Sequence, residues 1–230
     1  MSTGGPKNGR TVGQVMTALT LLVLVTSTAV PAQEPAVSTA LRRAERAYRL
    51  LTSLRAEFQQ TITNPMLGAP VTTRGVLFLV PPDRFAMRFE EPEGDRIVAD
   101  GEWLWAYTPS TVPDQVIRQP IPRFGVATPN LFGQFVDRPL ERYAATHIGK
   151  DTVGGDPVDL VRLVPNEPNV GFREATIAIS ERTGLLRRVD LIEDSGQRRR
   201  LVLLNIEPDA PIARAELTFV VPRGVRVVTP

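Results

Sequence analysis

The chain has 230 residues, of which 42% are hydrophobic and 23% are charged, the composition of a globular protein that can bury one core. Its formal net charge is +2 and it contains no cysteine. The lack of cysteine excludes disulfides, cysteine zinc sites, a thiol nucleophile and a lipid-modified N-terminal cysteine.

The first 32 residues have the pattern of a secretory signal peptide. Lys7 and Arg10 form a basic start, the run 12–25 is apolar, and small residues at 30–32 suit a cleavage site. The apolar run is shorter than the ~20 residues of a membrane span. We therefore expect cleavage near Ala32 and export to the periplasm of a two-membrane bacterium, with an uncleaved anchor as the alternative.

Removal of that segment changes the charge balance. Without Lys7 and Arg10 the chain has 25 basic residues against 25 acidic ones. A nucleic-acid-binding domain keeps a basic excess, so we expect no nucleic acid among the partners. Residues 33–230 are predicted to form a single domain.

A helix is predicted after a short linker at 33–37. Ser38 or Thr39 is a suitable N-cap, and the apolar residues that follow are spaced by three and four, which places them on one stripe. These residues are Leu41, Ala44, Tyr48 and Leu51. A basic amphipathic helix can lie on a membrane, but such a stripe more often packs against a sheet, as we expect here.

From Leu54 the apolar period changes to two, which predicts strands. Strands are expected at 54–62, 71–80, 84–89, 96–99 and 102–107, separated by turns rich in proline and glycine. In the third of these strands Phe85, Met87 and Phe89 share one face, opposite Ala86.

The fourth and fifth strands are expected to form a hairpin. Asp100-Gly101 is the two-residue signature of a type I′ turn. In the strand that follows, Trp103, Trp105 and Tyr107 share a face. Which face of the sheet they occupy stays open at this point.

The second half of the chain is also mainly strands. Two short helices are expected between 124 and 142, and strands at 115–120, 143–149, 157–164, 173–180, 185–193, 198–206 and 216–221. Regular short strands favour one large antiparallel sheet or barrel over βαβ units. The arginines at 198–200 are interpreted as protection of a sheet edge against aggregation, with an anion-binding patch as the alternative.

The sequence contains few of the groups that catalysis requires. His147 is the only histidine, and a lone histidine in a strand is more often structural than catalytic. The sequence has no Gly-x-Ser-x-Gly elbow and no phosphate-binding loop. Acidic residues cluster at Glu90, Glu91, Glu93 and Asp95 around a Pro-Gly turn with arginines nearby, which favours a solvated turn over a metal site. We therefore expect a non-enzyme without metal or cofactor.

The meander from Arg74 to Pro109 resembles the signature of the LolA family, the periplasmic carriers of outer-membrane lipoproteins. The resemblance lies in the order PPDRF, EEP and IVADGEWLWAYTP. The helix followed by LTSLRAEFQQT, and the C-terminal run from Phe219 to Val225, are also similar to the family. The likeness therefore extends from about Leu41 to Val228.

The resemblance implies a fold and a function. The expected fold is mainly β with α: an open half-barrel antiparallel sheet of about eleven strands, covered by a long N-terminal helix and short lid helices. The implied partners are acylated lipoproteins, an ATP-driven (ABC-type) inner-membrane complex that releases them and an outer-membrane acceptor, with the carrier acting as a monomer. The residues implied to bind acyl chains are Phe85, Met87, Phe89, Trp103, Trp105, Leu131 and Phe132.

One departure from the family concerns closure of the lid. The family commonly has an arginine before the turn proline that hydrogen-bonds the lid helices, whereas this chain has Val80-Pro81-Pro82. Arg84 or Arg88 is the expected substitute.

Three other functions are weighed against the carrier. A lipoprotein-sensing or other apolar-ligand-binding module of the same fold is the main alternative, although such regulators usually have a second domain. An outer-membrane acceptor requires an N-terminal cysteine, which is missing. A hydrolase requires a nucleophile and a base in one pocket.

Overall fold

The computed structural model describes residues 4–5, 33–66, 68–121, 132–168 and 170–230. The chain divides into two units, Met1–Pro31 and Ala32–Pro230, and every described helix and strand belongs to the second unit. Apart from residues 4–5, the predicted signal peptide 1–32 lies outside the described residues, and it stays a prediction.

The described residues of the second unit form one twelve-stranded sheet with a few helices on it. The helices are α1 (Gln33–Leu50), α2 (Gly133–Val136) and α3 (Pro139–Arg142), with a 3₁₀ turn at Arg214–Leu217. The strands are β1 (Leu54–Thr63), β2 (Val71–Val80), β3 (Arg84–Glu91), β4 (Glu93–Asp100), β5 (Trp103–Tyr107), β6 (Gln115–Pro120), β7 (Tyr143–Val153), β8 (Asp156–Pro165), β9 (Phe172–Ser180), β10 (Leu186–Glu193), β11 (Arg198–Pro208) and β12 (Arg226–Val228).

The strand order is β12-β6-β5-β4-β3-β2-β1-β11-β10-β9-β8-β7. All neighbours are antiparallel except β12, which runs parallel to β6. The sheet does not close on itself, because β12 and β7 are its two edges. The predicted fold class, an open antiparallel sheet covered by an N-terminal helix and short helices, is confirmed, with twelve strands where about eleven were expected.

Both faces of the sheet are apolar near β2. Leu77 and Leu79 point to the inner face, which carries the main core and the helices. Val76 and Phe78 point to the outer face, where they pack against Leu217 from the C-terminal segment. A run that is apolar at every position is typical of a strand covered on both sides, and the second half of β2, from Val76 to Leu79, is such a run.

The first helix begins earlier than predicted. Helix α1 starts at Gln33, so the expected linker at 33–37 and the cap at Ser38 or Thr39 are wrong. Val37 and Ala40 are buried in the core together with Leu41 and Ala44. Packing of these residues on the sheet stabilises helical turns that the capping signal alone does not predict.

The hairpin between β4 and β5 is wider than predicted. Ala99 pairs with Leu104, so four residues lie between the last paired positions. Only Gly101 in this turn has a positive φ, of 104°, whereas a type I′ turn requires positive φ at both central residues. The Asp100 carboxylate instead accepts hydrogen bonds from the backbone N–H groups of Glu102 and Trp103.

The predicted strand at 216–221 is wrong. Arg214–Leu217 forms a 3₁₀ turn, and the chain rejoins the sheet only at β12. Leu217 and Phe219 alternate as they would in a strand, but they pack across the outer face instead of pairing at its edge. We call residues 212–219 the strap.

Candidate functional site

The inner face contains a cavity of about 290 Å³. Its walls come from β1, β3, β4, β5 and β6 on one side and from β10 and β11 on the other. The lining residues are Gln60, Phe85, Met87, Ile97, Leu104, Ala106, Ile117, Gln119, Val189, Leu191, Arg199 and Leu201.

The lining shows how strongly the sheet curls. Strands β6 and β10 are separated by six intervening strands in the sheet order, which would place them about 34 Å apart in a flat sheet. Ile117 of β6 and Leu191 of β10 nevertheless line one cavity of about 290 Å³. The two flanks of the sheet therefore face each other across a hollow.

Two of the predicted acyl-chain residues line this cavity. Phe85 and Met87 are 4% and 5% exposed, and both belong to the lining. Phe89 points to the same face but packs edge-to-face against Phe58, with ring centroids 5.1 Å apart. It extends the apolar face without belonging to the cavity lining.

Phe132 lies in the packed core near the helices. It is 1% exposed, and its ring centroid is 6.2 Å from that of Tyr48 on α1. The predicted lid residue Leu131 lies outside the described residues. Aromatic contacts continue around Phe135, whose ring is 5.7 Å from Phe172 and 6.3 Å from Tyr143. This part of the inner face is filled core, and the hollow lies beside it.

Trp103 and Trp105 do not line the cavity, so their assignment to the acyl-chain site is corrected. Leu104, between them, belongs to the inner core, which places both tryptophans on the outer face by strand alternation. The Trp105 ring stacks on Phe219 of the strap with centroids 5.3 Å apart. The Arg118 guanidinium lies over the Trp103 ring at 4.5 Å.

The sequence interpretation missed much of the lining. Leu104 and Ala106 are smaller than the tryptophans around them, so the sequence alone does not identify them as cavity-lining residues. Val189 and Leu191 on β10, and Leu201 on β11, do show a clear period of two. Alternation identifies such a set, but only the fold shows that these strands lie opposite β3–β6.

Helix α1 is tied to the sheet by a charged cluster, called the clasp, that consists of Arg43, His147 and Asp159. The Arg43 guanidinium donates from Nη2 to Asp159 Oδ2 at 2.6 Å and from Nε to the Ser180 carbonyl at 3.0 Å. His147 Nε2 lies 3.0 Å from Asp159 Oδ1. The lone histidine therefore has a structural hydrogen-bond partner.

The clasp determines the ionisation of its carboxylate. Burial by itself would raise the pKa of Asp159, but hydrogen bonds from Arg43 and His147, together with the positive charge of Arg43, outweigh it. The pKa of Asp159 is therefore held below its usual range. An ionised Asp159 keeps both hydrogen bonds at neutral pH and fixes α1 against β7 and β8.

Within the described residues, neither expected substitute for the family's lid arginine has a hydrogen bond or ion pair with α1, α2 or α3. Arg88 Nη1 pairs with Glu216 Oε1 of the strap at 3.3 Å, on the outer face. Arg84 has the same orientation by alternation with Phe85. In this chain the arginine that joins a helix to the sheet is Arg43, and it lies on the helix itself.

A larger groove of about 560 Å³, which contains many charged side chains, lies mainly on the outer face of β7–β11 and β1. Arg200 pairs with Asp190 there, and Arg188 pairs with both Asp190 and Asp151, so these two arginines have acidic partners. Strand β11 lies between β1 and β10, so the interpretation of residues 198–200 as protection of a sheet edge is wrong. The inner cavity, whose walls are mostly apolar, is the better site for a hydrocarbon ligand.

The described residues contain no group of three or more histidine and acidic side chains that could hold a metal ion. Within the same residues, no helix is both long and apolar enough to cross a membrane.

Known proteins resemble this chain in both sequence and fold. Outer-membrane lipoprotein carrier proteins of Methylibium petroleiphilum and Pseudomonas aeruginosa are 26% and 27% identical to it, and each alignment covers 76% of this chain and 81% of the relative. A crystal structure of an uncharacterised conserved protein from Thermus thermophilus has a TM-score of 0.54 at 15% identity and covers 85% of this chain and 99% of that one.

The family model described as outer membrane lipoprotein carrier protein LolA matches residues 49–220. This range runs from the end of α1 through the strap and includes all but one of the strands. The family is one of carriers rather than of enzymes. The chain belongs to the LolA family.

Proposed function

We propose that this chain is a periplasmic carrier that binds the acyl chains of lipoproteins in the inner cavity and moves them from the inner to the outer membrane. The observation that supports this most directly is the hollow of about 290 Å³ between the facing flanks of the sheet. The action is binding and release, without catalysis.

The chemistry of the walls suits hydrocarbon. Phe85, Ile97 and Leu104 contribute apolar surface, and burial of a methylene is worth about 0.8 kcal/mol. Met87 adds a flexible side chain that adapts to ligands of different shape.

The size of the cavity is compatible with reversible binding of an acyl chain. A cavity of roughly 150 Å³ accommodates one benzene ring, so about 290 Å³ holds roughly a dozen carbon atoms. Burial of that many methylenes is worth on the order of 10 kcal/mol before the entropic cost of binding is subtracted. Binding of several complete acyl chains would require the two flanks of the sheet to move apart.

Release into an aqueous compartment is unfavourable, so the carrier needs partners at both ends of its route. We propose that an ABC-type inner-membrane complex loads it and that an outer-membrane acceptor receives the cargo. The near-neutral charge of residues 33–230 fits a protein that moves freely as a monomer between two membranes.

The test is recovery of the protein from the periplasm of a two-membrane bacterium that expresses the full chain. Mass spectrometry of the purified protein is expected to show a mature N-terminus near Gln33 and co-purified triacylated lipoprotein. An Ala106→Trp variant, with a large side chain in the cavity, is expected to be recovered without cargo. A wild-type protein free of lipid that also fails to bind an acylated peptide in vitro refutes the proposal.

A further inference from the structure

The cavity wall is not uniformly apolar. Gln60, Gln119 and Arg199 are the long polar side chains of its lining. Gln60 on β1 and Arg199 on β11 are diagonal neighbours on adjacent strands, whereas Gln119 is on β6. An arginine beside a hydrocarbon-binding surface is costly unless its charge and its N–H groups have partners.

The direction of Arg199 follows from its strand. Leu201 and Leu203 belong to the inner core, so Arg199 points to the same face by alternation. Its guanidinium donates from Nε to Glu193 Oε1 at 2.9 Å and from Nη1 to Gln60 Oε1 at 3.1 Å. These two contacts fix the plane of the guanidinium at the wall of the cavity.

The hydrogen-bonding capacity of Arg199 is only partly used. A guanidinium has five N–H donors, and within the described part of the chain two of them have protein acceptors. The remaining donors are held in a fixed orientation by a side chain that is 23% exposed. A ligand in the cavity that presents an oxygen acceptor to them gains hydrogen bonds without the entropic cost of ordering a flexible arginine.

The neighbouring acid decides which acceptor suits the site. Glu193 is 14% exposed and pairs with Arg199, so the pair together carries no net charge. A free carboxylate or phosphate would experience repulsion from Glu193. A neutral carbonyl oxygen accepts the same hydrogen bonds without that repulsion, which favours an ester or amide over an anionic head group.

We propose that Arg199, oriented by Glu193 and Gln60, donates hydrogen bonds to the ester or amide carbonyl at the head of a bound acyl chain. This contact fixes the polar end of the chain beside β10 and β11 while its hydrocarbon lies against Phe85, Met87 and Leu104. The inference rests on the proposed function and adds to it a chemical preference: acyl groups are selected over alkyl groups of equal length.

The experiment compares two synthetic peptides whose glyceryl-cysteine carries two hydrocarbon chains of equal length. The chains are linked through esters in one peptide and through ethers in the other. The wild-type protein is expected to bind the ester form about tenfold more tightly, the effect of one or two hydrogen bonds to a charged donor. Arg199→Met is expected to abolish this preference, so that this variant binds the ester and ether forms with equal affinity. Arg199 is expected to contribute nothing to the affinity for free palmitate.

Arg198→Met is the matched control, because Arg198 precedes Arg199 on β11 and is exposed on the opposite face. It is expected to retain the preference for the ester form. Because Arg199→Met leaves Glu193 without its cationic partner, the double variant Glu193→Gln/Arg199→Met provides a second test, with the same expected loss of preference.

Three results overturn the inference alone: equal binding of the two peptides by the wild-type protein, a preference that persists in both variants, or tighter binding of palmitate through Arg199. Failure of the wild-type protein to bind either peptide is a different result, because it removes the proposed function itself.

Discussion

Arg43 of α1 and Asp159 of β8 are 116 residues apart in the sequence, and their side chains meet with Nη2 and Oδ2 2.6 Å apart. No other described ion pair joins α1 to the sheet. The position of the helix over the inner face therefore depends on this contact in addition to its apolar stripe.

Replacement of Arg43 by Met should lower the free energy of unfolding by about 2–4 kcal/mol, because it leaves the Asp159 carboxylate partly buried without its cationic partner. Arg42→Met is the control, since Arg42 is exposed on the same helix. Chemical denaturation of the two variants checks the prediction. Equal stability of both variants would show that the clasp contributes nothing.

The stability contributed by Asp159 should depend on pH. A carboxylate whose pKa is lower in the folded state stabilises the fold above its unfolded pKa of about 3.9, and this contribution is lost as the pH falls through the folded value. The difference in unfolding free energy between wild type and Asp159→Asn should therefore shrink as the pH falls from about 5 to about 2. Denaturation across this range measures it, and a difference that stays constant down to pH 2 contradicts a lowered pKa in the folded state.

Gly184 lets α1 approach the turn between β9 and β10. Its φ is +78°, and an added Cβ would lie 2.7 Å from the Arg43 carbonyl oxygen. Gly184→Ala should therefore cost about 2–4 kcal/mol, because steric overlap adds to the strain of a positive φ. Gly155 has almost the same φ, +79°, with nothing within 4 Å of its Cβ, so Gly155→Ala measures the backbone strain alone. If thermal melts show equal losses of stability for Gly184→Ala and Gly155→Ala, the helix is not closely packed against Gly184.

The strap should stabilise the fold without taking part in ligand binding. Phe219→Ala removes ring contacts with Trp105 and Tyr107 at 5.3 and 5.9 Å and should cost about 1–2 kcal/mol, less than for a fully buried ring. Tryptophan fluorescence should shift because Trp105 loses its cover. Val220→Ala is the control, since Val220 is 78% exposed. If Phe219→Ala is fully folded but has lost affinity for acyl chains, the outer face contributes to the acyl-chain-binding site.

How much the sequence predicts differs from strand to strand. On β3 the large apolar side chains of Phe85, Met87 and Phe89 alternate with Arg84, Ala86 and Arg88, so the core-facing side is evident, and the structure confirms that side. On β5 every position is apolar, so the period of two separates Trp103 and Trp105 from Leu104 but does not say which set faces the core. The larger side chains lie outside because the strap covers them there, and a contact with a segment more than 100 residues later (Phe219 on Trp105) leaves no local signal.

The same reasoning explains the other differences. The pairing of Arg43 with Asp159 and the neighbourhood of Gln60 and Arg199 arise from strand order, which the residues of one strand do not encode. Residues 216–221 alternate like a strand because one side is buried, and alternation does not distinguish pairing from packing across a face. The family resemblance implied an open sheet covered by helices, which the local patterns do not indicate.

The central claim is that the inner cavity binds acyl chains, and titration of a triacylated peptide into wild type and two Ala106 variants tests it most directly. Ala106 lines the cavity, so Ala106→Trp fills it while Ala106→Ser leaves it open. The account predicts saturable binding by wild type and Ala106→Ser, at least about tenfold weaker binding by Ala106→Trp, and a similar melting temperature for all three. Unchanged affinity in a folded Ala106→Trp protein would place the ligand elsewhere and contradict the account.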